Sequence, residues 1–180
     1  MNSEEDLINR CLENDQKAHE VLYKRFAPKM YGVCMRFAKN QMEADDILQE
    51  GFIKVFTNLK SFRNEGSLEG WIRRTIVNTA INLYKKNLKH QKDTDLEQAE
   101  VIQNQETNSL EKLSVQELLK LIMELPTGYR VVFNLNVIEG YSHKEIGDLL
   151  EISENTSKSQ LSRARLALQK KLFNLNRTKD

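Results

Sequence analysis

Basic side chains gather in two stretches of this 180-residue chain from which acidic side chains are missing. Residues 70–92 hold six Lys or Arg and no Asp or Glu, and residues 155–179 hold seven and none. Stretches of this kind are candidate contacts for a polyanion. Amide and hydroxyl side chains lie among the cations, and they can hydrogen-bond base edges while the cations contact phosphates. The chemistry that these residues offer is recognition of nucleic acid.

The second stretch belongs to a helix-turn-helix pattern over residues 142–171. Ser142 and Glu145 have the spacing of a capping box, in which each side chain satisfies the other residue's backbone amide at a helix start. Residues 151–152 supply a turn, and Ser153 can cap the next helix. Two helices joined by so short a turn must cross steeply.

The outer face of the second helix of this pattern is polar at its start and basic further on. A helical wheel with Leu161 facing inward places these side chains outward. The residues that we predict to contact duplex DNA are Asn155, Thr156, Lys158, Ser159, Ser162, Arg163 and Arg165. The alternative is a solvated helix of an αα-hairpin, and the long absence of acidic residues argues against it.

The first stretch falls on a helix predicted over residues 68–88, which Ser67 can cap. Its inner face begins at Leu68 and Ile72, and one outward stripe carries asparagines between basic residues. That stripe consists of Arg74, Asn78, Asn82, Lys85 and Lys89. Beside it, aromatic and basic side chains could hold an unstacked base. They are Phe62, Arg63 and Trp71, and simple packing of the loop on the helix explains either aromatic residue, taken alone, equally well.

A helix predicted over residues 42–59 carries its acidic side chains early and cannot favour DNA. Its apolar residues spread around more of the circumference than one core needs. We therefore expect part of this surface to contact a protein partner.

The fold class predicted from these patterns is all-α, with two small helical domains joined by a flexible linker. Only seven Gly and two Pro interrupt the chain, so helix is favoured nearly everywhere. The predicted domains span residues 1–92 and 110–180, and the acidic stretch 93–109 is too poor in apolar residues to fold by burial.

The remaining helices follow from caps and apolar spacing. They are predicted over residues 3–13, from Asp15 to about Phe37, over 110–124 and over 129–139, with Gly140 in the left-handed conformation that ends the last of them. On their apolar sides we expect Val21, Leu118 and Val137, among others, to enter the cores.

The sequence offers no site for catalysis or for a metal or other cofactor. His19, His90 and His143 lie far apart without a supporting nucleophile, and we expect His143 to be an exposed residue of a helix's first turn. Cys11 and Cys34 match no metal-ligand spacing and are expected to be buried, reduced thiols.

No apolar run approaches membrane-spanning length and the chain starts with acidic residues, so we expect a cytoplasmic protein that does not insert into membranes.

The motifs in both halves resemble those of a known family. Residues 45–56, 62–63 and 71–80 resemble region two of the extracytoplasmic-function (ECF) sigma factors of bacterial RNA polymerase. Residues 125–126, 141–146 and 158–165 resemble region four of the same proteins. The match covers both predicted domains in order and leaves the linker and the termini uncovered.

This resemblance implies a protein that binds core RNA polymerase and directs promoter-specific transcription initiation. Asp46, Gln49, Glu50 and Ile53 match the helix that binds the clamp of the polymerase largest subunit, and the flap region is a further implied contact. The basic stripe with Phe62, Arg63 and Trp71 matches the surface that captures unpaired nontemplate bases of the minus-ten element and so melts the DNA. The helix-turn-helix matches the reader of the minus-thirty-five element, and an anti-sigma factor is an implied partner.

The chain departs from the family pattern in the second helix of the helix-turn-helix. Residues 153–156 lack the Gly that many relatives have before the Thr, and Ser157 stands where an apolar residue is common. The family's base preference therefore does not transfer to this chain.

Three rival functions predict different features. A regulator that acts without polymerase needs a dimerisation surface for a palindromic site, and the sequence shows no coiled-coil heptad. A sigma-like decoy that reads no DNA does not need the two basic stripes. An enzyme needs a catalytic constellation that the sequence does not offer.

Overall fold

The computed structural model describes residues 4–92 and 115–177, and within these ranges all regular structure is helical. The predicted all-α class is confirmed. In the same ranges, no helix combines the length and the apolar character that crossing a membrane requires. The chain divides into two compact units, Met1–Leu83 and Tyr84–Asp180. The predicted domain limits stay a prediction, and the predicted linker lies outside the described residues.

The first unit is built from four helices and one short 3₁₀ turn. In chain order they are α1 (Glu4–Leu12), α2 (Gln16–Phe37), α3 (Gln41–Asn58), the 3₁₀ turn (Leu59–Ser61) and α4 (Leu68–Lys92), whose last residues pass into the second unit. The 3₁₀ turn occupies the start of the predicted loop.

Side-chain caps start α2 at the predicted residue, Asp15, and α3 at Asn40, which was not predicted as a cap. The Asp15 carboxylate accepts hydrogen bonds from the backbone amides of Lys17 at 2.8 Å and Ala18 at 3.3 Å. The Arg10 guanidinium, 2.6 Å away, is the main reason why the pKa of Asp15 lies below its ordinary value. Asn40 caps α3 by accepting from the amide of Glu43 at 2.9 Å. These bonds satisfy amides that a helix start leaves without a partner.

The core of the first unit lies between the apolar sides of α2, α3 and α4. Its largest fully buried side chains are Leu22, Met30, Val33, Val55, Leu59, Leu68, Ile72, Ile76 and Val77. Cys11 and Cys34 are buried as predicted and form no disulfide. The prediction for Val21 is wrong, because this side chain is 54% exposed on the outer side of α2.

Over residues 115–177, the second unit has four further helices. They are α5 (Val115–Met123), α6 (Thr127–Phe133) with a π-helical turn after it (Asn134–Ile138), α7 (His143–Leu150) and α8 (Glu154–Arg177). Buried side chains of α5 and α8 meet in one cluster, formed by Leu121, Ile122, Leu125, Ala164 and Leu168.

Two sequence predictions in this unit need correction. The helix predicted over residues 129–139 begins two residues earlier, and its second half widens into the π-helical turn, inside which Glu139 N donates to Asn134 O. The changed register exposes Val137, and Leu118 on α5 is also 43% exposed. Gly140 has the predicted left-handed conformation, with φ of 78°. The start of the helix predicted over 110–124 lies outside the described residues.

The turn between α7 and α8 passes close to α7 at Gly147. A Cβ atom placed on Gly147 would lie 2.8 Å from the backbone oxygen of Ile152. We therefore predict that Gly147→Ala destabilises the protein by about 1 to 3 kcal/mol, because backbone of the tight turn must move to remove the overlap. Denaturant unfolding of the full chain measures this loss.

Gly32 provides the matched control, because a Cβ atom placed there meets nothing within 4 Å. Gly32 lies inside α2, where alanine is the better helix former, so Gly32→Ala should stabilise by roughly 0.5 to 1 kcal/mol. Equal stability changes in the two variants would contradict the steric account of Gly147.

Candidate nucleic-acid interface

The helix-turn-helix begins at the predicted capping box. The Ser142 hydroxyl accepts from the Glu145 amide at 3.2 Å, and Glu145 Oε2 accepts from the Ser142 hydroxyl at 2.7 Å and from its amide at 2.8 Å. Ser142 therefore holds the pKa of Glu145 below its ordinary value, with the hydroxyl as the larger cause. The helix ends at Glu151, whose φ of 58° is left-handed.

The outer face of α8 carries the side chains that we predict to contact duplex DNA. Six of them are exposed, namely Asn155, Lys158, Ser159, Ser162, Arg163 and Arg165. Thr156 is half-buried and its hydroxyl lies 2.8 Å from that of Ser153, which also caps α8 by accepting from the Thr156 amide at 3.0 Å. The wheel thus places the face correctly, and Thr156 contributes to the cap.

Contacts within the unit orient two of the cations. Lys158 Nζ lies 2.6 Å from Glu154 Oε1 one turn earlier. Arg163 Nη1 donates to the Tyr129 hydroxyl at 3.5 Å, a long hydrogen bond. Sequence reasoning missed Tyr129 in this role, because nothing in its neighbourhood shows that α6 packs beside that part of α8.

A polar contact joins α7 and α8 where both helices begin. His143 Nδ1 lies 2.9 Å from Ser157 Oγ, and Ser157 is completely buried. The prediction that His143 is an exposed first-turn residue is therefore wrong, because its ring is half-buried against α8. Ser157, noted only as a departure from an apolar position, is the residue that could have signalled a buried polar partner.

In the first unit, the loop before α4 and the first turns of that helix enclose an open cleft of about 440 Å³. Its walls include Phe62, Arg63, Trp71 and Arg74. The Phe62 and Trp71 rings have centroids 5.7 Å apart and are tilted by 54°, and both are half-buried. Pockets of small ligands have volumes in this range.

The basic stripe of α4 extends from this cleft. Arg74, Asn78 and Asn82 are exposed at helical spacing in the first unit. Lys85 belongs to the second unit, is half-buried and forms an ion pair with Glu151. Lys89, which is exposed, also belongs to the second unit, so the first unit holds three of the five residues of the predicted stripe.

The outer face of α3 differs in charge from both basic surfaces. Asp46, Gln49, Glu50 and Ile53 are all exposed, and Ile53 is an apolar side chain that is 58% exposed. Glu50 Oε1 lies 2.6 Å from Lys54 Nζ. An acidic face around one exposed isoleucine fits a protein partner better than DNA.

The titratable groups of the described residues give no indication of a metal site. Within residues 4–92 and 115–177, no three His, Cys, Asp or Glu side chains form a group that could hold an ion. Burial raises the pKa of Cys34 to about 12, so its thiol stays protonated and unreactive.

An all-helical chain with an acidic exposed face on α3, an aromatic cleft, a basic stripe and a helix-turn-helix has the features of a DNA-binding transcription factor. The family model "Sigma-70 region 2" matches residues 22–89, and "Sigma-70, region 4" matches residues 115–168. The two matches span about two thirds of the chain. The chain belongs to the sigma-70 family and to its ECF group, whose members are non-catalytic subunits that direct RNA polymerase to promoters.

Curated relatives resemble the chain over nearly its whole length. It is 28% identical to the RNA polymerase sigma-H factor of Pseudomonas aeruginosa, over 94% of this chain and 93% of the relative. It is also 28% identical to the ECF RNA polymerase sigma-E factor of Escherichia coli K12, over 92% of each chain. The sigma factor RpoE of Bartonella quintana, solved in complex with the anti-sigma factor NepR, superposes with a TM-score of 0.51 at 21% identity, covering 85% of this chain and 95% of that one.

The capping box generates a pH prediction. Because the folded pKa of Glu145 is depressed, its stabilising contribution is present above the ordinary glutamate pKa of 4.5 and is lost as the pH falls through the folded value. Ser142→Ala should lower Tm at neutral pH, and its gap from the wild type should narrow below pH 4.5. Thermal unfolding followed by circular dichroism across pH 2 to 7 measures the gap.

Glu145→Gln is the control, since glutamine keeps the capping geometry without a titrating charge. Its Tm should fall less than that of the wild type between pH 5 and 2. A gap between Ser142→Ala and the wild type that stays constant with pH would contradict this account.

Proposed function

We propose that this sigma factor works in the cytoplasm, where it binds RNA polymerase and contacts promoter DNA at two separate elements. The outer face of α3 binds the clamp of the largest subunit, the cleft of the first unit captures an unpaired nontemplate base of the minus-ten element, and α8 reads the minus-thirty-five element. The observation that supports this division most directly is the separation of charge: acidic residues lie on the outer face of α3, whereas basic ones lie on α4 and α8.

The polymerase contact rests on the four exposed residues of α3. Ile53 offers an exposed apolar surface on a mostly polar face, and protein interfaces commonly combine an apolar centre with a polar rim. Asp46 and Glu50 suit a partner with basic residues and repel the DNA backbone. This face therefore tethers the sigma factor to polymerase without competing for the promoter.

Base capture rests on the cleft beside Phe62 and Trp71. Removing a base from the duplex stack costs a few kcal/mol, and stacking on an aromatic ring returns about 1 to 3 kcal/mol. Arg63 and Arg74 on the cleft wall supply charge for the adjoining phosphates. Binding energy alone can thus favour the melted strand, and no bond is made or broken.

The upstream contact rests on the outer face of α8. Asn155 and Ser159 lie in its first two turns, the part of a recognition helix that reaches base edges in the major groove. Arg163 and Arg165, further along, suit the flanking phosphates. A tether between two DNA contacts raises the effective concentration of the second once the first has formed.

Two further partners are part of the proposal. The flap region of polymerase is proposed to contact the second unit. An anti-sigma factor is proposed to hold the protein inactive, as a complex of this kind was solved for the Bartonella quintana relative. The exposed apolar residues Met42 and Ile53 on α3 offer surface that such a partner would cover.

Transcription in vitro tests the function. Purified protein and core RNA polymerase are incubated with genomic DNA, and transcript 5′ ends are mapped. We expect starts that share a two-part upstream sequence and disappear when the sigma factor is left out. If no promoter yields a transcript, the initiation role fails, and a palindromic site bound without polymerase would favour an ordinary regulator.

The division of labour predicts a selective defect. Gln49→Ala combined with Glu50→Ala should weaken binding to core polymerase about tenfold or more, because it removes polar contacts at the proposed clamp surface. Binding of the second unit to upstream DNA should be unchanged. Fluorescence anisotropy with labelled core enzyme and with labelled duplex measures the two affinities.

Glu20→Ala is the matched control. Glu20 forms an exposed ion pair with Lys24 one turn later on α2, as Glu50 does with Lys54 on α3. Loss of this pair should leave polymerase binding unchanged. An equal loss in both variants, or equal loss of polymerase and DNA binding, would argue against the proposed surface.

A further inference from the structure

The hydrogen bond between His143 and Ser157 fixes one edge of an imidazole ring. Nδ1 lies 2.9 Å from the hydroxyl oxygen of Ser157, whose side chain is 0% exposed. Ser157 shares the inner side of α8 with the buried Leu161 and Ala164. His143 is half-buried, and Nε2 is the ring nitrogen that does not face Ser157.

This contact fits two hydrogen-bond directions, because the Ser157 hydroxyl can donate to Nδ1 or accept from it. When the hydroxyl donates, a neutral imidazole accepts at Nδ1 and carries its proton on Nε2. Nε2 is then a hydrogen-bond donor. If the ring is protonated, both nitrogens donate, and Nε2 keeps the same role.

Two lysines and the His143 ring lie near the Glu154 carboxylate, where both helices begin. Glu154, in the first turn of α8, has its pKa lowered first by the hydrogen bond from Lys158, with smaller electrostatic contributions from His143 and Lys144. Lys158 Nζ already lies 2.6 Å from the Glu154 carboxylate. One carboxylate thus faces two cations and a histidine, and the surplus favours a bound anion.

The location of the ring suggests which anion this is. In helix-turn-helix proteins the first helix crosses the DNA backbone while the start of the second enters the major groove. His143 lies at the start of the first helix and contacts the fourth residue of the second. A group at this position reaches a phosphate rather than a base edge.

We propose that His143 binds a backbone phosphate of the upstream promoter element through Nε2, and that the Ser157 hydroxyl donates to Nδ1 and so keeps the ring in the orientation and the tautomer that this contact needs. The inference rests on the proposed reading of upstream DNA by the second unit. The contact sets the position of α8 on the duplex and carries no sequence information of its own.

Two substitutions test the two ring nitrogens of His143 separately. In His143→Asn the amide can replace Nδ1 toward Ser157, but the Nε2 donor is lost. In His143→Gln the longer amide can replace Nε2, but the bond to Ser157 is lost. We expect the Asn variant to bind upstream DNA about tenfold more weakly and the Gln variant to stay within about threefold of the wild type.

The measurement uses the full chain loaded on core polymerase and a duplex that carries the upstream element from the mapped promoters. Single phosphates of this duplex are replaced in turn by neutral methylphosphonates. We expect one phosphate whose neutralisation weakens the wild type but leaves His143→Asn unchanged. Thermal unfolding of each variant shows whether the helix-turn-helix is intact, and a scrambled duplex measures nonspecific binding.

The possible results distinguish failure of the His143–phosphate contact from failure of the proposed promoter function on which it rests. If the wild type prefers the upstream duplex and His143→Asn binds it equally well, the phosphate contact is overturned and the proposed function stands. The same conclusion follows if the stably folded His143→Asn variant responds to every methylphosphonate as the wild type does. If the wild type does not distinguish the upstream duplex from the scrambled one, both proposals fail.

Discussion

The close approach of α3 and α4 at Gly51 is the constraint on which the surfaces of the first unit depend. A Cβ atom placed on Gly51 would lie 3.6 Å from the Ile76 Cα atom and would overlap the Ile76 side chain, which is completely buried. Because Gly51 has no side chain, the two helices can pack with little space between them. The outer face of α3 and the cleft at the start of α4 are therefore held by one core, and a shift of either helix moves both.

In the second unit, where the helix-turn-helix is small, polar contacts help to fix how the helices pack. Its two helices are joined by a turn that leaves no space for a Cβ atom at Gly147. The capping box fixes where α7 begins, and the bond from His143 to Ser157 connects that start to α8. A buried hydroxyl needs its partner, so this bond restrains the crossing of the helices more specifically than an apolar contact would.

The sequence allowed the helices and their exposed faces to be predicted, because caps and apolar spacing are local signals. It could not supply contacts that depend on how helices cross. The His143–Ser157 bond and the Tyr129 contact of Arg163 join residues far apart along the chain. Periodicity also placed Val21, Leu118 and Val137 on apolar sides, yet whether a neighbouring helix covers them is a tertiary property, and the π-helical turn shifted the last of these.

Promoter opening is proposed to depend on the capture of a base by a preformed cleft. In the described residues, the Phe62 and Trp71 rings already lie 5.7 Å apart around a space of about 440 Å³. A cleft that exists before DNA binds loses little conformational entropy on capture, so more of the stacking energy is available to hold the strand open.

Permanganate reactivity of unpaired thymines at a mapped promoter tests this claim most directly. Holoenzyme with Phe62→Ala should bind the closed duplex normally but leave the thymines near the minus-ten element largely unreactive. Tyr23→Ala, which removes a 40% exposed aromatic side chain outside the cleft, should melt the promoter as the wild type does. Full reactivity with the Phe62→Ala holoenzyme would contradict base capture at this site.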